Sequence, residues 1–168
     1  EEFHPDLMSI DEIIEVAEKN ESEKPVILVD SADSTNAGAT GDSAAVVARL
    51  QARNSQLKAC IYVNDAPAVE KAFAAGVGGK LTAQVGCTLD SKYSVPAVVD
   101  AEVKAVFEDG TFVLQSPAGK GMIHNIGRAA VLEAGNISIL VCYNTAGNGD
   151  PQLYRAFGIE PLEQQLVV

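Results

Sequence analysis

Pro25-Val26-Ile27-Leu28-Val29-Asp30, running into Ser31-Ala32-Asp33-Ser34-Thr35-Asn36-Ala37-Gly38-Ala39-Thr40-Gly41-Asp42-Ser43, decides the fold. The first part is a continuous apolar run closed by a carboxylate. Such a run reads as a strand buried on both faces, as in a parallel sheet. The second part is a loop of small residues, and Asp42 at its end reads as the N-cap of a helix reaching about Asn54, with Ala45, Val46, Ala48 and Leu50 as its apolar positions. Downstream, Ala59 to Val63 repeats the buried-strand pattern. Asp65 then caps a helix with Pro67 early in it, Val69, Ala72 and Phe73 on its apolar side, and Gly76 at its end. A β-α-β-α order predicts parallel pairing with right-handed crossovers.

Upstream of Pro25, Ser9 and Glu12 have the spacing of a capping box, and Ile10, Ile13, Ile14 and Ala17 fall on one helical face. Residues 1–24 therefore read as a helix and a polar connection, and residues 25–168 as one α/β domain. In the second half, Lys80–Val85, Ala97–Glu108, Thr111–Gln115, Arg128–Glu133 and Ile137–Tyr143 read as strands. Asp109-Gly110 gives a hairpin signal between two of them. Pro151–Phe157 reads as a short helix with Gly158 as its C-cap, and Gln164–Val168 as a last strand. The expected class is α/β, with parallel strands in a β-α-β-α first half and a β-rich second half extending a mixed sheet.

The composition supports one globular domain. The chain has 168 residues, 47% hydrophobic and 21% charged. Aromatics are 5% and Trp is absent, so Val, Ile, Leu and Ala must build the core. Twelve Lys and Arg against 23 Asp and Glu give a net charge of −11. A nucleic-acid binder gathers cations to meet phosphates, and an anionic membrane surface asks the same. Both partners are disfavoured, and the balance leans toward a neutral or cationic ligand. No apolar run reaches the roughly 18 residues that span a bilayer, and the first residues lack the form of a secretory signal. Cys60, Cys87 and Cys142 are far apart and read as small hydrophobes of a reducing compartment, which places the chain in the cytoplasm. The missing initial Met and the ending on Leu166-Val167-Val168 suggest a piece of a longer protein.

The loop after the first strand leaves its carboxyl end, where open α/β sheets bind ligands. It carries Asp30, Asp33 and Asp42 with Gly38 and Gly41, and almost no bulk. A phosphate loop needs a wider glycine spacing and a Lys, where this chain has Asp42. The dinucleotide pattern G-x-G-x-x-G is absent. The paired Asp of haloacid-dehalogenase-like phosphatases stand one residue apart, whereas Asp30 and Asp33 have two residues between them. Amine or cation recognition, metal support and general-base work remain. Plainer readings stand beside them: Asp42 as cap, Asp30 bonding loop amides, Asn36 in a left-handed turn. His4 carries no signal. His124 lies in the glycine-bracketed segment Gly121–Gly127 and stands alone. No spacing of His and Cys supplies a complete zinc site.

Four segments in order resemble the C-terminal domain of the microcystinase C (MlrC) family. The first is Val26–Asp33 with Gly38 and Gly41-Asp42-Ser43, similar to D-x-A-D-N-P-G-G-G-A-P-G-D-S/T. The others are Asp65–Val69 with Ala72–Gly78, Ile126–Leu132, and Asp150–Pro161 against D-P-E-L-F-R-x-L-G-I-D-P. The resemblance runs from Pro25 onward. Ser34-Thr35 replaces the Asn-Pro of that pattern, and Ala37-Gly38-Ala39 its triple glycine. That family's chains also continue beyond the position of Val168 with a K-S-x-x-H-F-like end.

The resemblance implies a two-domain, metallopeptidase-like hydrolase whose zinc ligands lie mainly in an N-terminal domain outside this chain. The present domain would line the cleft, be inactive alone, and need no cofactor of its own. Asp33 and Asp42 match the loop pattern and are the candidate catalytic residues. Asp30, Asn36, Gly38, Gly41, Ser43 and His124 are the candidate substrate contacts, and no residue here is a candidate metal ligand. The implied partners are the N-terminal domain and a peptide or small-molecule substrate, with a homodimer left open. The alternative is a non-catalytic module for small-ligand binding or domain interaction. An apolar patch beside the loop would favour the first reading, and a deep self-contained pocket the second.

Overall fold

A computed structural model describes residues 6–92, 94–147 and 149–168. Glu1 to Pro5, with His4, lie outside the described residues. Helix α1 (Ile10–Glu18) starts as its sequence requires: Ser9 accepts from the Glu12 amide at 3.3 Å, and Glu12 accepts from the Ser9 amide at 2.7 Å. The main sheet has seven strands in the order β1 (Val26–Ile27), β9 (Leu166–Val167), β2 (Ala59–Asn64), β8 (Ile137–Cys142), β7 (Ala129–Ala134), β4 (Ala97–Phe107), β3 (Lys80–Val85). The first four run parallel, and the remainder pair antiparallel. The mixed α/β class read from the sequence is the observed one.

Strands β2 and β8 form the centre. Alternation sends Ala59, Ile61 and Val63 to the face covered by α1, α2 (Ala45–Ala52) and α3 (Ala66–Ala75). Cys60 takes the other face, beneath α4 (Gln152–Arg155) and the side chains of Leu153, Tyr154 and Phe157. The first core is aliphatic, as expected. The second is not: Phe157 packs edge-on against Phe107 and Phe112, with ring centroids 5.0 and 5.9 Å away. Burial pushes the thiols of Cys60 and Cys142 up to about 12, so both stay protonated and unreactive.

Three expectations need correction. The run Pro25–Asp30 is not a strand buried on both faces. Only Val26–Ile27 is strand, because β9 inserts between β1 and β2 and leaves β1 at the sheet's edge. Ile27 is 68% exposed and Val29 77%. Helix α2 begins at Ala45 rather than at Asp42, and no side chain caps it. Asp109-Gly110 does not join paired strands. After it, β5 (Thr111–Val113) leaves the main sheet and pairs with β6 (Ile123–Asn125) in a separate ribbon. The Asp109 carboxylate instead takes the Thr111 amide at 3.1 Å and the Asn125 side-chain amide at 2.9 Å. The true hairpin is β7–β8, turning on Gly135-Asn136 with Gly135 at φ +62°.

The Asp150-Pro151 start of the last resembling segment also has a physical role. Asp150 is buried and accepts the amides of Gln115 and Ser116 at 2.7 Å and of Gln152 at 2.9 Å. Burial pushes its carboxyl up, but the amides of Ser116, Gln152 and Gln115 outweigh this and hold it at about 2. Among the described residues no helix is long and apolar enough to cross a membrane.

Candidate functional site

The acidic loop sits where the parallel strands β1 and β2 end, and its shape is set by its own carboxylates. Asp30 accepts the amides of Ala32 at 3.0 Å and Asp33 at 3.2 Å, so it closes the turn that opens the loop, past the end of β1. Asp33 reaches forward across the loop: one oxygen takes the Gly41 amide at 2.9 Å and the other the Ser43 amide at 2.7 Å. Thr35–Ala37 forms one 3-10 turn, ended by Gly38 at φ +91°. The left-handed position expected at Asn36 is therefore Gly38, the residue that tolerates it without strain. Gly41 is also left-handed, at φ +67°, and a β-carbon there would come within 2.5 Å of the Thr35 methyl.

Asp42 is 3% exposed and ties two loops together. One oxygen accepts from the Thr40 hydroxyl at 2.5 Å. The other accepts the amides of Leu89 at 2.7 Å and Asp90 at 3.0 Å. Its backbone carbonyl accepts from Cys87 at 2.7 Å. The expected helix cap is thus a bridge from the first loop to the exit of β3, and its oxygens are committed before α2 begins. The Ser43 hydroxyl accepts from the Ala45 amide at 3.3 Å.

Asn64 and Tyr62, not singled out in the sequence, complete the frame together with Asp65, whose capping role was expected. Asn64, the last residue of β2, donates its amide to the Gly41 carbonyl at 2.7 Å and its side chain to the Thr40 carbonyl at 3.2 Å. Asp65 caps α3 through Ala68 at 2.9 Å and holds Gly86 at 2.7 Å. Tyr62 projects beneath Gly41, and burial drives its phenol strongly upward, so it stays neutral. The available signal was polar side chains at the end of a buried strand, where nothing apolar is gained by them. A chamber of about 40 Å³ lies among Asp30, Asp33, Ser43 and Tyr62. It has the volume of roughly one water molecule.

His124 comes from the β5–β6 ribbon, braced on Phe112 with ring centroids 5.8 Å apart. It is not beside Asp33 in any observed contact. It borders Gly147, as Asn36 does: a β-carbon on Gly147 would lie 3.2 Å from Asn36 Oδ1 and 3.7 Å from His124 Cε1. On the opposite side, an open groove of about 760 Å³ runs from the loop to Leu7, Met8, Ile13 and Val29. Leu7 is 71% exposed, so apolar surface adjoins the acidic loop. Among the described residues no three His, Cys, Asp or Glu side chains form a group able to hold a metal ion.

The model of the MlrC C-terminus matches residues 28–168. Microcystinase C of Sphingomonas sp is 32% identical over 150 residues, which are 85% of this chain and 27% of that protein. The chain thus spans about a quarter of the curated relative's length. The crystal structure of a candidate metallopeptidase from Mesorhizobium sp. BNC1 matches with a TM-score of 0.90 and 28% identity, over 99% of this chain and 33% of that one. The structural likeness includes α1 and β1, which precede the family match. With the loop, the β2 terminus and the Asp150 segment all inside the matched span, the chain belongs to the MlrC C-terminus family.

Proposed function

We propose that this chain is the cleft-lining C-terminal part of a zinc-dependent amide or peptide hydrolase of the cytoplasm, inactive alone. The observation that carries the reading is the built loop at the carboxyl end of β1, with exposed apolar surface beside it. Apolar surface beside a built loop is compatible with the docking of a second domain. Family membership and the candidate metallopeptidase's fold support the hydrolase class. The residues of this chain do not themselves fit a zinc ion: no group of three ligands exists among those described, and Asp33 and Asp42 already bind amides. The ligands are assigned to the longer polypeptide, and no step is routed through the metal here.

Within this reading Asp33 and Asp42 act on the substrate through the loop they shape. Asp33 fixes Gly41 and Ser43, and Asp42 fixes the Leu89–Asp90 turn, so the backbone between them presents a constant surface. Asp33 engages loop amides with both oxygens, and proton transfer by it would use a lone pair that those amides leave open. That same engagement favours a second reading, a binding or interaction module without chemistry.

The test is metal content and amide hydrolysis of this chain and of the full-length polypeptide, with Asp33→Asn and Asp42→Asn in the latter. The proposal expects zinc and turnover in the full-length protein only, and reduced turnover in both folded variants. Tight zinc binding by this chain, or indifference to both substitutions, favours the second reading.

A further inference from the structure

We propose that the outer edge of β1 receives an eighth strand from the rest of the polypeptide, a segment in which apolar residues alternate with Lys or Arg. The inference rests on the part of the proposed function that makes this chain one portion of a longer protein, and not on the hydrolase class.

The edge is open to pairing. Val26 and Leu28 donate to the carbonyls of Gln165 and Val167 at 2.9 and 2.8 Å, so their peptide groups face β9. Ile27 stands between them, and alternation turns its N–H and C=O the other way, where the described residues supply no partner. Such an edge takes an extended segment through main-chain hydrogen bonds, and side chains then decide which sequence fits.

The same alternation divides the side chains of β1. Leu28 is buried in the first core with Val26 packed against it, whereas Ile27 and Val29 lie on the opposite face and are exposed. Apolar residues of an eighth strand would cover Ile27 and Val29. The residues between them would enter the groove on the α1 side, about 760 Å³ in volume. That groove has Leu7, Ile13 and Leu28 on its walls and Asp6, Asp30 and Asp90 around them, with no Lys or Arg among its described lining residues. A long cationic side chain matches both features, its stem on hydrocarbon and its head at the carboxylates. Asp30 is placed to meet it, because one of its oxygens takes the amides of Ala32 and Asp33 and the other is left open. A second copy of this chain fits less well, since it would bring a net charge of −11 to the same carboxylates.

The experiment is hydrogen exchange on the purified full-length polypeptide, read residue by residue. Leu28 is the internal reference, because β9 protects it in either case. The Ile27 amide should exchange within about tenfold of Leu28, as amides of one cooperative unit do. Asp30→Asn keeps an acceptor for the turn and removes the charge. It should speed exchange at Ile27 about tenfold and leave Leu28 unchanged. Sodium chloride at about 0.5 M, which needs no variant, should act in the same direction by screening.

Free exchange at Ile27 beside a protected Leu28 overturns the strand. Protection that fades on dilution gives the edge to a second copy and overturns the assigned source. Protection indifferent to both Asp30→Asn and salt overturns the basic side chain. Amide hydrolysis measured on the same sample separates this inference from the proposed function. Turnover with a freely exchanging Ile27 sinks the strand and keeps the hydrolase, and a protected Ile27 without turnover does the reverse.

Discussion

Strands β1 and β2 look alike in sequence and differ in the structure. Each is a short apolar run that ends near a carboxylate: Val26-Ile27-Leu28-Val29 before Asp30, and Ala59-Cys60-Ile61-Tyr62-Val63 before Asp65. β2 has strands on both sides and cores on both faces. Among the described residues β1 has one neighbour, and Ile27 and Val29 are exposed. An apolar run therefore reports that a strand will be covered, without saying what covers it. For β2 the cover is this chain. For β1 the described residues supply none on its outer edge, and isolated apolar edges are a liability that proteins normally blunt or bury. On the proposed reading, β1 and its loop are the side that the rest of the polypeptide covers.

The largest effect that tests this contrast falls on β2. Ile61 is buried between α2, α3 and β8. Ile61→Ala removes packed methyl and methylene groups and should cost about 2–5 kcal/mol in urea unfolding. A cost near zero would break the contrast at its stronger end.

Next comes the bridge between the β2 side and the loop. Asp42→Ala leaves the Leu89 and Asp90 amides without their acceptor. Losing two part-buried hydrogen bonds to a carboxylate should cost about 1–3 kcal/mol, and hydrogen exchange at Leu89 should quicken. Retained protection at Leu89 would mean that Asp42 does not hold the two loops together.

The centre of the sheet was legible because β2, β8 and α3 announce themselves through apolar periodicity and the Asp65 cap. Their partners all lie within the chain. β1 was misread because strand order is a long-range property. Nothing between Pro25 and Asp30 reveals that Leu166–Val167 will insert beside it. Asp109-Gly110 was misread for a related reason: a turn signal says that the chain turns, and the partner of β5 proved to be β6. In the site, the acidic loop was visible as composition. Which carboxylate caps, bridges or closes was not, since Asp42 chooses Leu89 and Asp90 from a distant segment over the helix beside it. Asn36 and His124 were named separately, and only the fold brings them together at Gly147.

A smaller, pH-dependent effect belongs to Asp150, which ties the second core as Asp42 ties the first. Its carboxyl is held at about 2 in the folded chain against an ordinary 3.8. A depressed folded value stabilises the fold above the unfolded value and loses that stabilisation as pH falls from 3.8 through about 2. Asp150→Asn should flatten stability across that window. An unchanged acid limb would show that these amides do not favour the ionised form.

The smallest effect is the most discriminating for β1. Ile27 is exposed, so Ile27→Ser in this chain should change stability by no more than about 0.5 kcal/mol. The same substitution in the full-length polypeptide should cost several times more if the remainder covers the edge, because a hydroxyl would then replace buried hydrocarbon. Equal, small effects in both would mean that β1 stays open to solvent, and the groove beside the acidic loop would lose its role as a docking surface. A large effect in this chain alone would mean that Ile27 is already covered by a second copy of the chain. Concentration-dependent unfolding would reveal that case, since a dimer's stability rises with protomer concentration. The edge strand thus distinguishes a domain completed by its own polypeptide from one completed by its twin, at a position where the monomer itself is nearly indifferent.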